Sequence, residues 1–104
     1  MSETSFNWPG QRSEDPAHRR VVEFLTLDIQ NSPEWGRELI EKIEAIEEGK
    51  LQEWERNGNA FYLKLSVDGA TIEDMIDENS EVKSVSLDEF RAAVLAWMES
   101  META

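Results

Sequence analysis

Cysteine is absent from this 104-residue chain, and histidine occurs once, at position 18. Without thiols there is no disulfide framework, no thiolate metal site and no Cys–His nucleophile, and a reducing compartment is the expected home. The five glycines are nowhere gathered into a phosphate-cradling loop or set around a serine as in a nucleophile elbow. The longest apolar run, Ala92 to Met98, falls well short of the ~20 residues that cross a bilayer. The first twenty residues hold no apolar core like that of a signal peptide, so the expected location is the cytoplasm. Positive charge is also scarce: ten Lys and Arg stand against 23 Asp and Glu, giving a net charge of −13. That balance argues against contact with nucleic-acid phosphates or anionic membranes, and favours a cationic partner.

Enough apolar residues remain for one domain, and a chain of this length buries about 60–70% of its unfolded surface. The organising stretch runs from Trp54 to Ile76. Asn57-Gly58 and Asp68-Gly69, both hairpin dipeptides, bracket a run in which Phe61, Leu63, Leu65 and Val67 alternate with smaller or more polar residues. Taken as two-residue loops, they pair Trp54 with Phe61, Leu65 with Ile72 and Phe61 with Ile76 on one apolar side. The other side then carries Glu53, Glu55, Tyr62, Lys64, Glu73 and Met75. Asp74 is the misfit, landing inward opposite Leu63, and a bulge near Asp74-Met75 would relieve it.

Around this meander the chain reads as a polar tail, a strand and two helices. Residues 1–20 are polar, with Pro9, Gly10 and Pro16, and read as a tail whose Phe6 and Trp8 could dock over the open sheet face. Val21 to Leu27, rich in β-branched and aromatic residues, reads as a strand. Asn31-Ser32-Pro33-Glu34 announces a helix, with Ser32 as N-cap and Pro33 in the first turn. Trp35, Leu39, Ile40, Ile43 and Ile46 form its buried stripe, and Gly49 closes it. Val82 to Val85 is a weak fourth meander strand. Ser86-Leu87-Asp88-Glu89 matches a capping box, leading into a helix with Leu87, Phe90, Val94, Trp97, Met98 and Met101 along one side. The sum is an α+β domain over residues 21–104, two-layered, in which two amphipathic helices pack on one face of an antiparallel β-meander.

Catalytic chemistry finds little support. Carboxylates are plentiful, but nothing places two of them in an apolar pocket, and no catalytic residue, cofactor or metal site is assigned. The stretch Glu73 to Glu81 has five acids in nine residues; it resembles a calcium loop only in acidity, since the central glycine is missing. The bland account of such charges is a solvated surface that keeps a small protein soluble. The sharper one is a partner-binding patch made of Glu73, Asp74, Asp77, Glu78 and Glu81, with Tyr62 and Glu55 beside it on the open face.

The Glu-rich helix ending in Gly49, then Trp54-Glu55-Arg56-Asn57-Gly58-Asn59-Ala60, an apolar strand, an acidic segment, and Ser86-Leu87-Asp88-Glu89-Phe90 leading to Ala96-Trp97-Met98 form a recognisable succession. In this pattern the chain resembles small bacterial immunity proteins of contact-dependent growth inhibition and related polymorphic toxin systems, over roughly residues 21 to 100. The resemblance implies a cytoplasmic inhibitor, not an enzyme, that binds a cognate toxin and blocks its active site. Toxins of these systems are commonly nucleases, whose phosphate-gripping surface is basic. The alternative is an acidic adaptor, or a nucleic-acid-mimicking regulator, that binds a basic host protein.

Overall fold

Asp15-Pro16 opens the first helix at a place where composition reads as tail. The computed structural model describes residues 8, 12, 14–29, 32–58, 61–76 and 81–103, the last three by backbone alone. Phe6, Asn31, Asn59, Asp77, Glu78 and the Met101 side chain lie outside the described residues. Helix α1, Pro16–Phe24, runs directly into a π-helical turn, Leu25–Ile29. The Asp15 carboxylate accepts the Ala17 N–H at 2.9 Å, and Pro16 sits where its missing N–H would have no partner anyway.

Two expectations are corrected here: the tail does not extend to Arg20, and Val21–Leu27 is not a strand. Helical spacing lets His18, Val21, Phe24, Leu25, Asp28 and Ile29 share one buried side. A strand would have put Phe24 on the face opposite Val21 and Leu25. The β-branched propensity of Val21-Val22 is weaker than that gain in burial.

The domain also takes in residues before position 21. Trp8 is buried at 4% exposure and its indole packs on the His18 ring, with centroids 5.1 Å apart. It therefore belongs to the core on the helical side and does not cover the open sheet face. His18 Nδ1 accepts the Arg12 N–H at 3.0 Å, which leaves Nε2 to donate to Glu89 at 3.2 Å. Glu89 in turn completes the capping box: its carboxylate accepts the Ser86 N–H at 3.0 Å, and the Ser86 hydroxyl accepts the Glu89 N–H at 3.1 Å.

Strands β1 (Glu53–Asn57), β2 (Phe61–Ser66), β3 (Gly69–Asp74) and β4 (Lys83–Val85) form one antiparallel sheet in that order. The fourth strand is thus present, though short. Both predicted turns are displaced. Trp54 pairs with Leu65 and Arg56 with Leu63, because the first hairpin closes through Gly58 N–H to the Phe61 carbonyl at 2.8 Å. In the second, Ser66 pairs with Gly69, so Val67 and Asp68 make the turn and Val67 is 71% exposed. Each displacement moves the cross-strand partner by an even number of positions, so every strand residue keeps its predicted face. Asp74 pairs with Phe61 instead of Leu63, and the strand ends there without a bulge.

Glycine chemistry explains the displacements. Gly58 has no positive φ; its use is close approach, since a Cβ would stand 2.3 Å from an Asp28 carboxylate oxygen. That buried carboxylate accepts the Phe61 N–H at 3.1 Å, closing the hairpin from outside the sheet. Gly69, at φ 136°, lets β3 approach the Val85 carbonyl, where a Cβ would stand 2.3 Å away.

The three helices lie on one face of the sheet, α2 (Pro33–Glu47) over β2, α3 (Leu87–Thr103) over β3, and α1 over β3 and β4. Helix α2 is capped by the Ser32 hydroxyl at 3.2 Å from the Trp35 N–H and ends before Gly49, as its sequence predicts. Leu39, Ile43, Ile46, Phe61, Leu63, Leu65, Ile72, Phe90 and Val94 fill the space between the layers.

Replacing Gly58 by Ala should destabilise the fold by about 1–3 kcal/mol through overpacking against Asp28. In an Asp28→Ala background the same change should cost clearly less, because the clashing carboxylate is gone. Urea unfolding of the four proteins in this cycle checks the coupling; strict additivity would contradict it. Glu89 supplies an acid-side test. It is held below the ordinary carboxylate range, chiefly because it accepts the Ser86 N–H, with burial opposing and His18 adding a hydrogen bond. A depressed carboxylate stabilises the fold above its unfolded pKa and loses that contribution as pH falls through the folded value. The stability of Glu89→Gln should therefore decline less steeply than the parent's between neutrality and about pH 3, measured by urea midpoints.

Candidate functional site

Strand alternation sends Glu53, Glu55 and Asn57 of β1, Tyr62, Lys64 and Ser66 of β2, Thr71 and Glu73 of β3, and Ser84 of β4 to the face without helices. Tyr62 lies in the row nearest the first hairpin, half-buried, with Asn57 across one ladder and Glu73 across the other. The Glu55 carboxylate is its diagonal neighbour. Interaction with Glu55, with some desolvation and the added charges of Glu73 and Glu53, raises the phenol above its ordinary value. Lys64 stands opposite Glu55 and reaches Glu53 at 3.5 Å. Thr71 and Ser84 share a hydroxyl hydrogen bond at 3.2 Å at the quieter end of the face.

Acids outnumber bases on both sides of the sheet. On the helices, Arg91 bridges Glu44 and Glu47 at 3.4 and 3.2 Å, and Arg12 holds Asp15 at 2.9 Å. Arg56 is paired with Glu38 at 2.8 Å on the inner side of β1. Among the described strand residues, Lys64 is the one base on the open face, against the carboxylates of Glu53, Glu55 and Glu73. These acids are water-exposed, an arrangement suited to electrostatic interaction with another surface.

Of the residues singled out from sequence, the structure brings Glu55, Tyr62 and Glu73 together on this face. Asp74 is turned to the opposite side of β3, where it is half-buried and accepts the Ile76 N–H at 2.9 Å. Glu81 is exposed ahead of β4 and its carboxylate lies 3.2 Å from Lys83. Met75 is exposed just beyond the end of β3 and Trp54 faces inward, half-buried. Asp77 and Glu78 fall outside the described residues. No group of His, Asp and Glu that could hold a metal ion occurs among the described residues.

Sequence reasoning missed the inner margin of β1. There the Arg56 guanidinium lies 3.8 Å from the centroid of the Trp35 ring, and Trp54 meets Trp35 edge-on at 6.2 Å. A cleft of about 220 Å³ beside them is lined by Ser32, Glu34, Trp35, Glu38 and Arg56. A second cleft, of about 370 Å³, opens at the β2–β3 turn, floored by Ile46 and Leu87 and rimmed by Glu47, Asp68 and Asp88. The inner margin leaves no local sequence signal, because Trp35 and Arg56 meet only through packing of α2 on β1.

No family model, curated protein or solved structure gives a significant match to this chain. Among the described residues, no helix is long and apolar enough to cross a membrane.

Tyr62 is the chain's one tyrosine, so its phenolate absorbance reports this site alone. The titration midpoint should lie above the ordinary phenol value, and Glu55→Gln should bring it down. Because the folded pKa is the raised one, the neutral phenol favours the fold, and that preference fades as pH rises through it. A parent midpoint at the ordinary value, unmoved by the substitution, would contradict the geometry.

Proposed function

We propose that this chain is a cytoplasmic inhibitor that neutralises a basic partner protein by laying the open face of its sheet over the partner's cationic surface. The role matches that of an immunity protein blocking a cognate nuclease toxin. What carries the reading is the open face itself, where Glu53, Glu55 and Glu73 lie around Tyr62 with Lys64 as the one base among the described strand residues. A nuclease that grips phosphate must present Lys and Arg, and a complementary carboxylate field speeds encounter and orients docking. Affinity needs a desolvated anchor as well, and Tyr62, amphipathic and half-buried beside Glu55, is suited to that position. The succession of elements that resembles immunity proteins supports the same reading. Asp77, Glu78 and Glu81 would extend the field along the β3–β4 connection.

The test is capture of a basic nuclease domain by this chain, followed by assay of that nuclease's activity. Activity should be lost at a one-to-one ratio, and Glu53→Lys/Glu55→Lys/Glu73→Lys should slow association by about tenfold at low salt and flatten its salt dependence. Tyr62→Ala should mainly speed dissociation. A nuclease that stays fully active beside excess protein would refute the inhibitor role, and unchanged kinetics for the triple variant would remove the open face from it.

A further inference from the structure

The geometry points to the free edge of β1 as the place where a basic partner docks, by adding an extended, lysine- or arginine-bearing strand antiparallel to it. This rests on the reading of the chain as a binder of a cationic protein and adds how the contact is made. The Gly58–Phe61 bond sets the ladder's parity: Trp54, Arg56 and Gly58 turn their peptide groups toward β2. Glu53, Glu55 and Asn57 therefore aim theirs outward. No described residue hydrogen-bonds to those outward groups. All three residues are exposed, and β1 closes the sheet on that side.

Charge selects the occupant. Glu53 and Glu55 project to the open face from the same residues whose peptide groups face outward. A second copy of β1 added antiparallel would set one carboxylate row against another, which is unfavourable. A strand with Lys or Arg at alternate positions would set a base against each acid instead. Its remaining side chains would point to the helical side, where the 220 Å³ cleft lies beside the inner margin of β1. There Trp35, with Arg56 already stacked on its ring and paired to Glu38, and the Glu34 carboxylate line a receptacle for one long, apolar-stemmed side chain. Main-chain pairing would supply affinity and the alternate side chains selectivity.

The probe is a blocked heptapeptide alternating lysine and threonine, added to the full chain. Amide hydrogen exchange should slow roughly tenfold at Glu53, Glu55 and Asn57, and little elsewhere. Lysines placed opposite the acids carry the peptide groups that pair with β1. N-methylating the lysine amides should therefore abolish the protection, whereas N-methylating the threonine amides, at the same charge, should leave it. Asn57→Pro, which removes one outward N–H without changing charge, should weaken binding several-fold. Equal behaviour of the two methylated peptides would overturn the strand and leave contact by charge alone. So would unchanged exchange at the edge. If the triple lysine variant still loses association with the basic nuclease, the open-face reading survives that result; if it does not, both fall.

Discussion

Phe24 occupies the point where the elements of this fold meet, and the rest of the architecture depends on its burial. Its ring lies 6.2 Å from Trp35 of α2, 6.4 Å from Phe61 of β2 and 5.9 Å from Phe90 of α3, in edge-on or tilted contacts. Such pairs add about 0.5–1.5 kcal/mol each beyond the area they bury. With Phe24 fixed, the helical segment around it reaches the sheet in two further places. Arg20, buried, donates to the Ile72 carbonyl at 3.0 Å, and Asp28 closes the first hairpin through the Phe61 N–H. Buried polar groups hold their place only when satisfied, so these bonds set the position of α1 as firmly as the apolar contacts do.

Packing all helices on one side of the sheet leaves the other to water. Exposed ion pairs on the helical side contribute little individually. The helices keep an acid excess of their own, and the open face adds a field from Glu53, Glu55 and Glu73 against Lys64. Tyr62 places an amphipathic ring within that field, and β1 carries two of the acids along the sheet's free edge. Face and edge thus share residues.

The candidate site was partly legible. Alternation placed Glu55, Tyr62 and Glu73 on one face because an even displacement of a hairpin leaves every side chain where it was. Asp74 was grouped with them by nearness in sequence, although the same alternation sends it to the other side. The Trp35–Arg56–Glu38 contact had no local signature, since residues of a helix and an edge strand meet there only after the layers pack.

What the amino-acid sequence determined by itself was local and periodic: the Ser32 and Ser86 caps, the apolar stripes of the two long helices, the alternation of β2 and the surplus of acid. Each of these is a property of neighbours within a few residues, governed by hydrogen bonds and repeat lengths that the chain carries with it. Tertiary structure decided the rest. Val21-Val22 became helical because Phe24 and Leu25 gain more from shared burial than β-branched residues gain from extension. Gly58 serves close approach, because Asp28, thirty residues earlier in the chain, occupies the space where its Cβ would stand and bonds the Phe61 N–H.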